Sequence, residues 1–211
     1  MSGSVPYDLT GKRVWVAGHR GMVGSALVRR LEQENCEILT VPRRELDLRR
    51  QADVEQWMAA RRPQAVFMTA ATVGGIHANA ASHVVPAMIR KTAHGKVHGG
   101  PVEIWGSGQP RREFLSVDDA ADAMVHLMKC YSDEDVINIG AGEDVSIKEL
   151  AQQVAEVVGY EGDFRFDTSK PDGVPRKQVD ATRLLALGWR PTTPLRDGLA
   201  ATYEWYQFVA E

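Results

Sequence analysis

The stretch Arg13–Gly24, RVWVAGHRGMVG, constrains this chain more than any other. Val14, Val16 and Ala17 form a short apolar run flanked by Arg13 and Trp15, the pattern of a buried strand. Gly18, Gly21 and Gly24 follow at G-x-x-G-x-x-G spacing. Val23, Ala26, Leu27, Val28 and Leu31 then recur at helical spacing, with Arg29, Arg30 and Glu32 on the outer face. Each glycine has a task in such a strand–turn–helix. Gly18 permits the tight turn, Gly21 lets backbone approach a ligand closely, and Gly24 lets the helix pack on the strand. The helix N-terminus offers free N–H groups and positive dipole to phosphate. The turn Gly18-His19-Arg20-Gly21-Met22-Val23-Gly24 is therefore the expected contact with a dinucleotide.

Glu37–Val41 (EILTV) reads as a second strand, completing a βαβ unit of the expected length. Gln51–Arg61 reads as a helix with Val54, Trp57 and Met58 on one face, ended by Arg62-Pro63. Ala65–Ala71 (AVFMTAA) reads as a third buried parallel strand. Ala70 and Ala71 are small where a cofactor would lie against the strand's carboxyl end. The residues after the second strand decide which dinucleotide is expected. An acid there would bind a ribose 2′-hydroxyl, and arginine accommodates a 2′-phosphate. The chain reads Val41-Pro42-Arg43-Arg44. Arg43 offers a planar fork, Arg20 can approach the same group, and the expected cofactor is NADP. Glu45 and Asp47 follow; one could serve as the ribose acid, or Asp47-Leu48 could lie under the adenine.

Composition narrows the remaining classes. Twenty-five basic residues against 28 acidic ones leave a net charge of −3, which gives no footprint for nucleic acid. The two cysteines, Cys36 and Cys130, form neither a disulfide framework nor a zinc site, and suggest a reducing cytoplasm. No run approaches the ~18 apolar residues of a membrane span, and the first residues lack a secretory apolar region. The expectation is a cytoplasmic protein with no membrane partner.

The motifs GHRGMVG, RRELDL, TVGGIHANA, SHVVPAMIRK, WGSGQPRREFLSVDD, INIGAGEDVSIKELAQQVAEVVGY and FDTSKPDGVPRKQVDATRLLALGW closely resemble the GDP-L-fucose synthases. These are extended short-chain dehydrogenase/reductases, and the resemblance covers nearly the whole chain. It implies NADPH-dependent 3,5-epimerisation and 4-reduction of GDP-4-keto-6-deoxy-D-mannose by a homodimer. It implies that His83 moves a proton beside the keto group, although the bland reading makes it a helix-start residue beside the Ser82 cap. It further implies that Lys91, Trp105, Arg112, Asp172 and Lys177 bind the GDP-sugar. Thr72 stands where members often carry lysine.

One departure is severe. In the family a long stretch separates the parts resembling GGIHANA and SHVVPA, whereas here Ala80-Ala81 runs directly into Ser82-His83. On the order of a hundred residues, a small domain's worth, are missing. By the resemblance, that stretch carries strands 4 and 5, the dimer helices, the epimerase cysteine, the catalytic serine and a Tyr-x-x-x-Lys pair. Tyr7, Tyr131, Tyr160, Tyr203 and Tyr206 all lack a lysine four residues on. Such a tyrosine protonates the oxygen on which charge develops, and the lysine lowers its pKa.

Further along, Val136–Gly140 reads as a returning strand, and Ser146-x-x-Glu149 as a capping box opening a helix that Gly159 ends. Phe164–Phe166 reads as a strand, and Asp180–Leu187 and Leu195–Phe208 as helices. The expected fold is α/β: a Rossmann-like doubly wound parallel sheet of order 3-2-1-4-5-6 lacking strands 4 and 5, with a small C-terminal α/β substrate domain. Residues 1–80 are the expected NADP-binding half, and 81–211 the substrate-binding part with the returning strand. The gap is expected to leave strand 1 either paired with strand 6 or with a bare edge. Two functions follow: a GDP-L-fucose synthase activity by family, or a non-catalytic nucleotide-binding remnant with negligible turnover.

Overall fold

The computed structural model describes residues 7–70 and 83–210, and the chain divides into two compact units. The first comprises Met1–Thr72, Val117–Ile139 and Arg183–Arg190. Its sheet holds β1 (Arg13–Ala17), β2 (Glu37–Leu39) and β3 (Ala65–Met68), all parallel, in the order β2-β1-β3. Alternation along β1 sends its side chains to both faces. Val14 and Val16 join Leu27 and Leu31 of α1 (Met22–Leu31) and Ala121 and Val125 of α4 (Val117–Cys130) in one core. Trp15 and Ala17 join Leu39 and Leu46 in another. There the Trp15 ring lies 4.5 Å from that of Trp57 of α2 (Gln51–Arg61), tilted to it by 40°. Burial on both faces is the mark of a parallel α/β sheet, so the Rossmann-like class holds.

Charged ties bind α1 to α4. Arg30 reaches Asp122 at 2.6 Å and Glu34 at 2.8 Å, and Lys129 reaches Glu34 at 2.9 Å. The Trp189 indole donates to Asp122 at 2.8 Å, bringing in the segment after α6 (Thr182–Ala186).

Three expectations are corrected here. The third strand pairs with β1, on the side away from β2, and not beyond β2. It takes the seat that the order 3-2-1-4-5-6 gives to a fourth strand. Strand 1 is consequently paired on both edges, and the outer edges of this sheet belong to β2 and β3, with Met68 of β3 exposed. The returning strand at Val136–Gly140 does not form among the described residues, and Val136 lies in solvent. No strand pairs with it among the described residues, and an extended run is a strand only when paired. Helix α4, for which the sequence reading made no prediction, packs on α1 instead.

The second unit comprises Val73–Ser116, Gly140–Thr182 and Pro191–Glu211. β4 (Val102–Trp105) pairs in parallel with β7 (Phe164–Asp167). A second small sheet runs β6-β5-β8, formed by Val145–Ser146, Arg111–Arg112 and Arg176–Lys177. Its core gathers Met88 and Ile89 of α3 (Val84–His98), Leu150, Val154 and Val158 of α5 (Ile147–Val158), and Leu199 of α7 (Leu195–Ala210). The capping box opening α5 is present: the Ser146 hydroxyl accepts from the Glu149 amide, and the Glu149 carboxylate from the Ser146 amide. Gly159 ends the helix in the left-handed conformation. Among the described residues no helix is long and apolar enough to cross a membrane.

Candidate functional site

In the first unit the glycine turn is shaped by contacts that exclude side chains. Gly18 has φ +93°, and a Cβ there would lie 2.7 Å from the Ala70 nitrogen. A Cβ on Gly24 would overlap the Gly18 carbonyl oxygen. Both positions therefore require glycine for the turn to close. Gly21 differs. Its backbone is ordinary extended chain, and a Cβ would meet only the Gly18 oxygen, at 3.3 Å. Gly21 donates to the Gly18 carbonyl at 2.9 Å and sits as the N-cap of α1. It is exposed, so what a side chain there would displace lies outside the protein.

No side chain caps α1, and its first turn holds no acid. Its leading N–H groups thus face outward without the usual Ser, Thr or Asp partner. Met22 is exposed and His19 and Val23 are half-buried. The cradle fits a pyrophosphate: backbone donors, positive dipole and no competing carboxylate.

Arg20 and Arg43 are exposed, and neither makes an ion pair among the described residues. Asp47 is committed elsewhere. Arg49 grips its carboxylate at 2.5 Å. Those hydrogen bonds, with the Arg49 amide and more distant Arg43, hold its pKa far below the usual carboxylate range. Ala70 presses against Gly18, while Ala71, Thr72 and Ser82 lie outside the described residues.

The residues predicted to meet the substrate all fall in the second unit. His83 is itself the N-cap of α3, exposed, with its side chain making no capping bond. Lys91, two turns along, donates its ammonium to the Glu103 carbonyl of β4 at 2.9 Å. Val102 and Ile104 point into the core, which turns Glu103 and Trp105 outward together. Trp105 is 66% exposed, so it is not part of the core. Lys170 stands over it at 5.6 Å.

Asp172 is tied to the residues that follow Trp105. It accepts from the Ser107 amide at 2.7 Å and hydroxyl at 2.6 Å, and the same bonds lower its pKa. A Cβ on Gly106 would overlap its carboxylate. Asp172 thus pins the loop 168–175 to the end of β4. Arg112 donates to the Arg111 and Val174 carbonyls at 2.7 Å each. Lys177 is its register partner across β5 and β8, and is exposed. Lys91, Trp105, Arg112, Asp172 and Lys177 are therefore linked through β4, β5, β8 and one loop.

Sequence reading missed the supports. Glu113 accepts from the Gly142 amide at 2.8 Å and the Val179 amide at 2.9 Å, holding two loops. Ser107 and Lys170 belong to the quoted motifs, but nothing in their spacing links them to Asp172 and Trp105.

Residues 14–83 and 77–140 match the NAD dependent epimerase/dehydratase family. The match comes in two pieces that meet where the sequence departs from its resemblance. A GDP-L-fucose synthase from Sinorhizobium fredii is 36% identical over 302 positions, spanning 94% of this chain and 96% of that protein. GDP-L-fucose synthase 1 of Arabidopsis thaliana is 34% identical over 299 positions, spanning 92% and 93%. Such alignments are longer than the 211-residue chain itself, so the relatives carry residues opposite a gap. Among solved structures, a GDP-L-fucose synthetase from Naegleria fowleri superimposes with a TM-score of 0.85 at 20% identity, covering 97% of this chain and 96% of that one. A GDP-mannoheptose C4 reductase from Campylobacter jejuni, solved with NADP bound, gives 0.79 at 24%, covering 93% and 98%. The chain belongs to the NAD dependent epimerase/dehydratase family, with the GDP-L-fucose synthases as its relatives within it.

Proposed function

We propose that this chain binds NADP(H) and a GDP-sugar but carries out the synthase reaction at a negligible rate. The observation that carries the binding half is the turn at Gly18–Gly24: a helix start with neither cap nor acid, behind two glycines that admit no side chain. The exposed Arg43 and Arg20 favour a 2′-phosphate over a bare ribose, and NADP is the nucleotide bound in the Campylobacter jejuni reductase. Asp47, held by Arg49, is a poor ribose acid. The GDP-sugar assignment draws on the GDP-L-fucose synthase relatives and on Lys91, the exposed Trp105, Arg112 and Lys177, which fall within one unit. Residues 1–80 supply the cofactor contacts, and the substrate contacts lie within 81–211.

NADPH, when bound, supplies a hydride. The chain's own part in the proton chemistry is reduced to His83, which is exposed and able to exchange a proton with a carbon acid. The chain carries no Tyr-x-x-x-Lys, the pair that by the resemblance protonates the developing oxyanion, a contribution of roughly 10²–10⁴-fold. By the resemblance, the helices that form the family's homodimer belong to the stretch this chain lacks; a cytoplasmic setting accords with a chain of only two cysteines, Cys36 and Cys130.

Titration with NADPH, followed by nucleotide fluorescence, tests the binding half. A saturable signal, weakened by Arg43→Ala while NADH binding is unchanged, is expected. No saturable signal overturns it.

A further inference from the structure

The β5–β8 pair is electrostatically unusual. Each strand has two residues, and the register sets Arg111 opposite Arg176 and Arg112 opposite Lys177. Like charges facing across strands are destabilising, so something must hold four cations in two short strands. On one face that group is Asp144. Its side chain is only 4% exposed. One carboxylate oxygen accepts from the Arg111 guanidinium at 2.7 Å and the other from Arg176 at 2.5 Å. Arg111 also donates to the Asp144 backbone carbonyl at 2.8 Å and reaches the capping-box carboxylate of Glu149 at 3.3 Å.

Side chains alternate along a strand, so Arg112 and Lys177 occupy the opposite face. There no carboxylate pairs with either among the described residues. Arg112 is aimed by the Arg111 and Val174 carbonyls. We infer that Asp144 is a positioning residue: by tying Arg111 to Arg176 it locks β5 to β8 in register and holds Arg112 and Lys177 side by side as a receptor for the diphosphate of the nucleotide sugar. This rests on the GDP-sugar reading above. Asp144 touches no ligand; it acts through the two arginines. The unneutralised pair is left for an external dianion, and the neutralised pair keeps the strands together while that anion is absent.

The test compares GDP with guanosine, which lacks the phosphates, by ligand-observed NMR titration of the full chain. Asp144→Asn is expected to weaken GDP roughly tenfold or more and leave guanosine unchanged, with Asp144→Glu recovering part of the loss. Arg176→Gln, at a more exposed position, is expected to follow Asp144→Asn and carries the test should the latter fail to fold. GDP affinity unchanged in both Asp144→Asn and Arg176→Gln, while Arg112→Ala loses it, overturns the positioning role and spares the GDP reading. Equal loss of GDP and guanosine overturns it as a general collapse of the unit. A wild-type chain that binds no GDP overturns the role and the GDP reading together.

Discussion

The two units build their sites by opposite means. In the first, the cradle is backbone: glycines pressed against a carbonyl and a neighbouring strand, and a helix start left uncapped. In the second, the ledge depends on side-chain hydrogen bonds between segments far apart in sequence, Ser107 to Asp172 and Glu113 to the Gly142 and Val179 amides. Backbone cradles leave little room for change at fixed positions, whereas side-chain ledges depend on pairs that can be cut one at a time. Each site should therefore be fragile at a different kind of position.

The largest effect is expected at Gly24. Gly24→Ala sets a methyl against the Gly18 carbonyl, an overpacking that costs about 1–3 kcal/mol and abolishes NADPH binding. Thermal unfolding and nucleotide fluorescence read both. Gly21→Ala breaks the comparison within the turn itself. NADPH affinity should fall ~10-fold, as for the loss of one good phosphate contact, with stability moved by less than about 0.5 kcal/mol. A matching loss of stability would mean Gly21 serves the fold.

On the other side, Ser107→Ala releases Asp172 and its loop. A single hydrogen-bonding group of this kind is worth about 1 kcal/mol, so GDP affinity should drop several-fold while NADPH binding stays constant. Nuclear magnetic resonance or calorimetric titration of each nucleotide separates the two units.

The smallest effect is with pH. Burial alone would raise Asp122 and Glu34, but hydrogen bonds from Arg30 and Trp189 to the first, and from Lys129 and Arg30 to the second, hold both below their ordinary values of 3.8 and 4.5. Depressed carboxylates stabilise above their unfolded pKa and lose that contribution as pH falls through the lower folded value. The first unit should therefore hold its stability above pH ~5 and lose it below ~4. Asp122→Asn should flatten that acid limb in denaturant titrations.

Legibility followed the same division. Strand β1, helix α1, the bounds of α2 and the capping box of α5 could all be read from period and end signals, because those causes are local. The seat of β3 beside β1 was not legible, since an apolar run of this kind does not say which edge it joins. The strand at Val136–Gly140 failed for want of a partner, a fact about other parts of the chain. The site residues Lys91, Trp105, Arg112, Asp172 and Lys177 came from resemblance. Ser107 holds Asp172 from 65 residues away, and Asp144 reaches Arg111 and Arg176 from 33 and 32 residues away, so only the fold brings these partners together.

On the proposed function, this chain keeps its cofactor cradle while lacking the groups for reduction. Mixing the purified 211-residue chain with NADPH and GDP-4-keto-6-deoxy-D-mannose tests it directly, with nucleotide fluorescence read for binding and absorbance for consumption. The account predicts saturable binding of NADPH and no consumption above the protein-free control. Steady oxidation of NADPH with formation of GDP-L-fucose would contradict it.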